Sequence, residues 1–222
     1  LCTELGDKEM AKLCQEKADL MGNITPDHVD SKQAAALLAL SSSISEKEAN
    51  TVIEKDGAQR FSTFYGYYML LAMAKAENYT GAMEIIREYW GGMLKLGATT
   101  FWEDFNIEWL ENAGRIDEMP ANGLIDVHAA YGDYCYKGLR HSFCHGWASG
   151  PTAWMSEHVL GIKVLEAGCT KIAIEPQLGD LEWVEGTYPT PKGVIKVRHE
   201  KQVNGEIKSE VEVPEGIEVI KR

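Results

Sequence analysis

Apolar positions along this chain follow two periods, helical over the first two thirds and alternating over the last third. The first 95 residues read as successive helices with short breaks. The pattern predicts one over about 4–20, then a Thr25-Pro26 turn and a second helix from about Asp30, which can cap a segment burying Ala34, Leu37, Leu38 and Ile44. Ser45 and Glu48 have the S-x-x-E spacing of a capping box and open a third helix to about Asp56, closed by Gly57. The run FSTFYGYYMLLAMAKAE at 61–77 is apolar nearly all round, which predicts an inner, buried helix. A fifth helix runs from a Thr80 cap to about Leu96. Connections this short imply antiparallel helical hairpins.

From 97 to 148 the helical period fails, and the segment is rich in Gly, Asp, His and aromatic residues. Seven aromatics fall between Phe101 and Tyr136 (Phe101, Trp102, Phe105, Trp109, Tyr131, Tyr134 and Tyr136), which favours order in a long irregular excursion. A sixth helix over about 149–161 carries Pro151 in its first turn, where a missing N–H costs little. After Gly161 the alternation has period two. Strands are expected near 171–175, 181–186, 193–199, 206–213 and 216–220, with turns such as Val203-Asn204-Gly205 between them. They predict a small antiparallel sheet or sandwich, with a boundary near 162 separating an all-helical part from an all-β tail.

Composition narrows the partners. The 222 residues carry 34 acids against 22 bases, and a net charge of -12 repels phosphate backbones and anionic lipid. Neither nucleic acid nor a membrane surface is an expected partner. No apolar run approaches the length of about 20 residues that spans a bilayer, so the chain reads as soluble. The N-terminus has no basic segment followed by an apolar one, as a signal peptide would, and it begins like a helix already under way. A chain cut from something longer is the expectation. The compartment stays open, with a periplasmic or secreted full-length protein compatible with the reading. Cys2, Cys14, Cys135, Cys144 and Cys169 form no C-x-x-C pair, which argues against a disulfide framework or a Cys-rich zinc site and suggests that most are buried thiols.

Two stretches could carry chemistry. In GATTFWEDF, residues 97–105, Glu103 and Asp104 sit among Phe101, Trp102 and Phe105. A carboxyl beside aromatic rings is partly desolvated, and aromatic faces stack on sugar C–H surfaces, so the combination suits a carbohydrate site. Alternatively, Glu103 caps a helix beginning at Asp104 and the aromatics are core. In RHSFCHGWASGP, residues 140–151, His141, Cys144 and His145 have spacings a metal could use, but nothing nearby completes a ligand set. His145 before Gly146 and Trp147 looks more like a hydrogen-bond donor beside a stacking ring, or a satisfied core histidine. Ser142 and Ser149 lack the strand-turn-helix setting of a hydrolase nucleophile, and no phosphate loop exists.

Several stretches in fixed order resemble one family: TFYGYYMLLAMA (63–74), W-G-x-M-L before GATTFWE (90–103), HGWASGP (145–151), VLGI (159–162) and EGTYPTPKGVIKV (185–197). Together they cover most of 60–200 and resemble the C-terminal part of the α-L-rhamnosidases, the inverting glycosidases of glycoside hydrolase family 78. The resemblance implies a partial (α/α)6 toroid of about six helices, as in the six-hairpin glycosidases, followed by a small antiparallel β-sandwich. Residues 1–161 would be the C-terminal half of the barrel and 162–222 the β-sandwich domain. Carried over by motif, Glu103 is the general base, and Trp102, its neighbour in the same motif, binds substrate together with His145, a sugar contact, and Trp147, a wall of the pocket.

No cofactor or metal is implied. The implied substrate is a rhamnose-containing oligosaccharide or glycoside, cleaved at a terminal α-L-rhamnosyl bond. The family's acid-rich motif, resembling D-x-P-x-R-E-R, is absent here, and so is the general acid it belongs with. The missing N-terminal half of the same protein is therefore an expected partner, and the isolated chain is expected to be inactive. Residues from Glu108 onward, E-W-L-E-N-A-G-R-I-D-E, form a longer insertion than typical members carry. Two other readings remain: a non-catalytic module in which Trp102, Trp147 and Trp154 bind sugar or simply pack, and an (α/α)6 glycosidase of other sugar specificity.

Overall fold

The computed structural model describes residues 1–24, 26–130 and 140–221. The Thr25 half of the first predicted turn lies outside them, as do Tyr131, Tyr134, Cys135 and Tyr136. Helices come first: α1 (Lys8–Gly22), α2 (Lys32–Leu40), α3 (Glu46–Glu54), α4 (Tyr65–Lys75), α5 (Tyr79–Ile85) and α6 (Gly91–Lys95), the last two joined by a π-helical stretch at Ile86–Trp90. Short α7 (Val127–Ala130) and α8 (Gly150–Trp154) follow, the latter continued by a second π-helical stretch, Met155–Val159.

Capping explains where these helices begin. The Ser45 hydroxyl accepts the Glu48 N–H at 3.2 Å, as the capping box requires. Two other starts differ from expectation. Ser31, not Asp30, caps α2, because Asp30 sits at φ 58 and its neighbour's hydroxyl accepts the Ala34 N–H. Asn78, not Thr80, caps α5 through the Gly81 N–H. The starting shift moves the buried face of α2 to Ala35, Ala36 and Ala39, and leaves Leu37 exposed. Small residues there let α2 approach α4, whose Met69, Leu70, Ala72 and Met73 are fully enclosed. The 61–77 helix is thus largely buried within this chain, and its exposed large apolar side chains are Phe64 and Tyr65 at the N-terminal end.

The strands β1 (Ile162–Val164), β2 (Lys171–Ile174), β3 (Trp183–Thr190), β4 (Gly193–Lys201), β5 (Ile207–Glu212) and β6 (Glu218–Lys221) form two three-stranded sheets. One, in order β3-β4-β5, is an antiparallel meander; in the other, β1-β2-β6, β1 is antiparallel to β2 while β6 is parallel to it. Neither β1 nor the parallel pair was expected. Three residues cannot show an alternation, and register between strands over 40 positions apart is set by packing. The cysteines also differ from expectation, since Cys14 and Cys144 are exposed and Cys2 and Cys169 only partly covered.

Gly161 joins helix to sheet. It has φ 70, and a Cβ there would lie 2.3 Å from the Glu175 carbonyl carbon, so no other residue fits. His199 on β4 ties the same junction. Its Nε2 lies 3.0 Å from the Leu160 carbonyl and its Nδ1 2.8 Å from the Ser209 hydroxyl. A carbonyl only accepts, so Nε2 carries a proton, and in the neutral ring Nδ1 accepts from the Ser209 hydroxyl. Burial holds its pKa below 6.5, as it does for His141 and His158. Unfolded histidine binds protons at a higher pH than these three, so their stabilising contribution is complete above about pH 6.5 and is lost on acidification. Thermal unfolding scans are expected to show stability falling from pH 7 to pH 5, with a shallower fall in His199→Gln.

Candidate functional site

The site forms where the segment after α6 runs beside the segment before α8. The Glu103 N–H donates to the Ser142 carbonyl at 2.8 Å and the His145 N–H to the Phe101 carbonyl at 2.8 Å. The Thr100 hydroxyl donates to the Phe143 carbonyl. The chain pairs like a strand here although its sequence has no strand period, because aromatic packing supplies what alternation does not. Trp102 is fully buried against Phe105, Phe143 and His141, with ring centroids 5.9, 4.9 and 6.3 Å away. No helix begins at Asp104; the next turn is the 3-10 segment Ile107–Glu111, capped by Asn106.

Alternation within this pairing sends Glu103 to the opposite side from Trp102. Its side chain is 14% exposed, and its two oxygens differ. Oε2 accepts the Ser142 N–H at 3.0 Å. Oε1 lies 3.6 Å from His145 Nδ1, within ion-pairing reach but beyond hydrogen-bond length. Its backbone carbonyl takes two donors, the buried Thr63 hydroxyl and Trp147 Nε1, the latter at 2.8 Å. One carboxylate oxygen is thus anchored, the backbone is clamped, and the other oxygen lies beside His145.

His145 and Trp147 lie next to this carboxylate. Their ring centroids are 4.2 Å apart, His145 is 32% exposed at its side chain, and Trp147 is 39% exposed. Trp147 lies in the 3-10 turn Gly146–Ser149, pinned from below by Trp90 Nε1, which donates to the Ala148 carbonyl at 2.9 Å. Gly66 permits the close approach of α4 to that Trp90, since a Cβ there would meet its ring at 2.6 Å.

His141 behaves differently from His145. Its Nε2 accepts the Asp104 N–H at 3.0 Å, which places its ring proton on Nδ1 and suits the pKa that burial has lowered. It supports the backbone beside Glu103. Among the described residues no three His, Cys, Asp or Glu side chains are grouped to hold a metal ion.

Of the residues singled out in the sequence, Glu103, His145 and Trp147 come together. Trp102 is placed beneath them with no open face, and Trp154 is likewise buried, its Nε1 on the Leu70 carbonyl at 3.0 Å. Ser142 serves through its backbone N–H, while its hydroxyl bonds within its own turn to Cys144. Thr63 and Phe64 were missed. Thr63 lies 40 positions from the carbonyl it holds, and Phe64 packs 5.6 Å from Trp147 across 83 positions, so no local signal could have marked either.

Comparison with known proteins matches residues 161–220 to the bacterial alpha-L-rhamnosidase C-terminal domain. A solved family 78 rhamnosidase from Bacillus sp. GL1 is 28% identical over 86% of this chain, with a TM-score of 0.63. The chain matches the C-terminal part of the α-L-rhamnosidases. Two more solved α-L-rhamnosidases share the fold of this rhamnosidase-like chain over 98% of its length at a TM-score of 0.72. They are the Streptomyces avermitilis protein, solved with L-rhamnose, at 18% identity, and the Dictyoglumus thermophilum protein at 20%. The chain spans 19% of the length of the Bacillus protein, 21% of the Streptomyces protein and 24% of the Dictyoglumus protein. Comparison with curated protein sequences returns no match. Within the rhamnosidase-like chain no helix among the described residues is long and apolar enough to cross a membrane.

Proposed function

We infer that this chain is the C-terminal portion of an inverting glycoside hydrolase that removes terminal α-L-rhamnosyl units, and that Glu103 is its general base. The observation that carries the reading is the asymmetry of that carboxylate. Oε2 is held by the Ser142 N–H, and Oε1 lies 3.6 Å from His145 Nδ1, beyond hydrogen-bond length. A base needs a fixed direction and one lone pair to spare, and this arrangement supplies both. Inversion further requires the acid to stand about 6.5–9.5 Å away, so that a water fits between base and sugar.

The chain spans about a fifth of the solved α-L-rhamnosidases, which supports placing the general acid in a part of the protein upstream of Leu1. On this reading residues 1–161 form half of an (α/α)6 toroid and 162–222 a β-sandwich domain, and no cofactor or metal takes part. Ionised Glu103 takes the proton from water as it attacks the anomeric carbon, while the upstream acid protonates the departing oxygen. His145 and Trp147 hold the sugar between them, by hydrogen bond and by ring contact.

A panel of aryl glycosides offered to the full-length protein tests this, with the anomer of the released sugar read by NMR. The expected result is cleavage of the α-L-rhamnoside with inversion. Release with retention removes the base assignment, and cleavage of a different glycoside alone redirects the specificity. Binding of rhamnose with no cleavage at all leaves the non-catalytic module as the function.

A further inference from the structure

Phe64 is the most open ring of a continuous aromatic surface that begins at the candidate site. Its centroid lies 5.6 Å from Trp147, 5.1 Å from Tyr65 and 5.8 Å from Tyr68, and Tyr65 lies 6.4 Å from Tyr68. With three rings against it, Phe64 is still 40% exposed, and Tyr65 is 39% exposed. A contiguous exposed cluster of rings, unlike a single exposed apolar residue, marks a surface that a ligand or another surface covers.

Two features tie this surface to Glu103. Thr63, next to Phe64, and Trp147, in contact with Phe64, both donate to the Glu103 carbonyl oxygen. The surface is therefore fixed in position relative to the carboxylate, and it is continuous with the His145 and Trp147 pair. It carries no charge of its own: Phe64, Tyr65 and Tyr68 offer ring faces and two phenolic hydroxyls. That chemistry suits a flat C–H or aromatic face rather than an ion.

We propose that Phe64, with Tyr65 and Tyr68 beside it, forms a stacking subsite for the leaving-group ring, the ring bonded to the rhamnosyl unit. The proposal rests on the glycosidase reading above and adds what that reading leaves open, the kind of group carried by the rhamnose. A ring with a flat apolar face, either the C–H face of a second sugar or an aromatic aglycone, would lie on Phe64 while the rhamnosyl ring lies against Trp147 and His145. Methyl α-L-rhamnoside has no such ring and cannot use the subsite.

The test is a ratio measured on the full-length protein: kcat/KM for a rhamnosyl-glucose disaccharide, and separately for an aryl rhamnoside, each divided by kcat/KM for methyl α-L-rhamnoside. Ring stacking is typically worth enough to change such a ratio by roughly 2- to 10-fold. Phe64→Ala is expected to lower one or both ratios by that factor, and the substrate whose ratio falls identifies the source of the ring. Phe64→Leu, which keeps apolar bulk, guards against a folding defect and should lower the same ratio, while Phe64→Trp restores it. Unchanged ratios in both Phe64→Ala and Phe64→Leu overturn the subsite and leave the surface to another segment of the protein or to a second copy. An equal loss on all three substrates overturns it as well, since it would place Phe64 against the rhamnosyl ring or in a structural role. Failure of the base assignment is seen separately, because it is read from the turnover of Glu103→Gln and not from a ratio between substrates.

Discussion

Glu103→Gln in the full-length protein is expected to lower kcat toward an aryl α-L-rhamnoside by about 10²- to 10⁴-fold with little change in KM, the range that loss of a general base produces. The substitution is a narrow one. A glutamine oxygen can still accept the Ser142 N–H, and the Thr63 and Trp147 bonds go to the backbone carbonyl, which every residue has. Fold and sugar contacts should therefore persist, and only the capacity to take a proton is lost. Steady-state kinetics beside a thermal melt decide the matter. A variant that melts like the parent and turns over at the parent's rate would assign the base elsewhere.

The second large effect concerns stability. Lys32 is fully enclosed, its Nζ donating to the Gly57 carbonyl at 2.6 Å and lying 5.2 Å from the Phe61 ring centroid. Burial, with the nearby Arg60, lowers its pKa from 10.5 to about 8, against the opposing pull of Asp56 and Glu88. Between those two values the unfolded chain holds a proton that the folded chain has released, so stability rises with pH through that window. At 1.36 kcal/mol per pH unit, the gap between about 8 and 10.5 corresponds to up to about 3 kcal/mol, less whatever solvent screening removes. The stability of the parent relative to Lys32→Met is expected to increase by that amount from pH 7 to pH 10.5. Denaturant titrations of both proteins at the two pH values cancel the other lysines and tyrosines. A difference that stays flat with pH means the amine is not desolvated.

Much of this fold was legible in the order of residues, and the reasons are local. The Ser45 capping box, the apolar run of α4 and the alternation of β3 to β5 each depend on neighbours within one or two turns or on successive positions of one strand. Errors of one or two residues arose where several capping residues compete, as Asp30 and Ser31 do, or Asn78 and Thr80. There the winner is decided by which backbone adopts the extended cap geometry and which is forced into a left-handed turn. The chemical candidates were legible by residue type and, through family resemblance, by motif. Their roles relative to one another were not.

What the sequence alone determined is an acidic chain with a helical part, a β tail, and an acid, a histidine and a tryptophan that a family resemblance marks as candidates. Only the tertiary structure decided that Trp102 lies beneath the site while Trp147 faces outward. It also decided that one oxygen of Glu103 is anchored and the other spare, and that Thr63 and Phe64 belong beside them. The physical reason is distance along the chain. Hydrogen bonds and ring contacts that join positions 63, 103, 142 and 147 form only when packing closes the loops between them, and no period within a single segment records that closure.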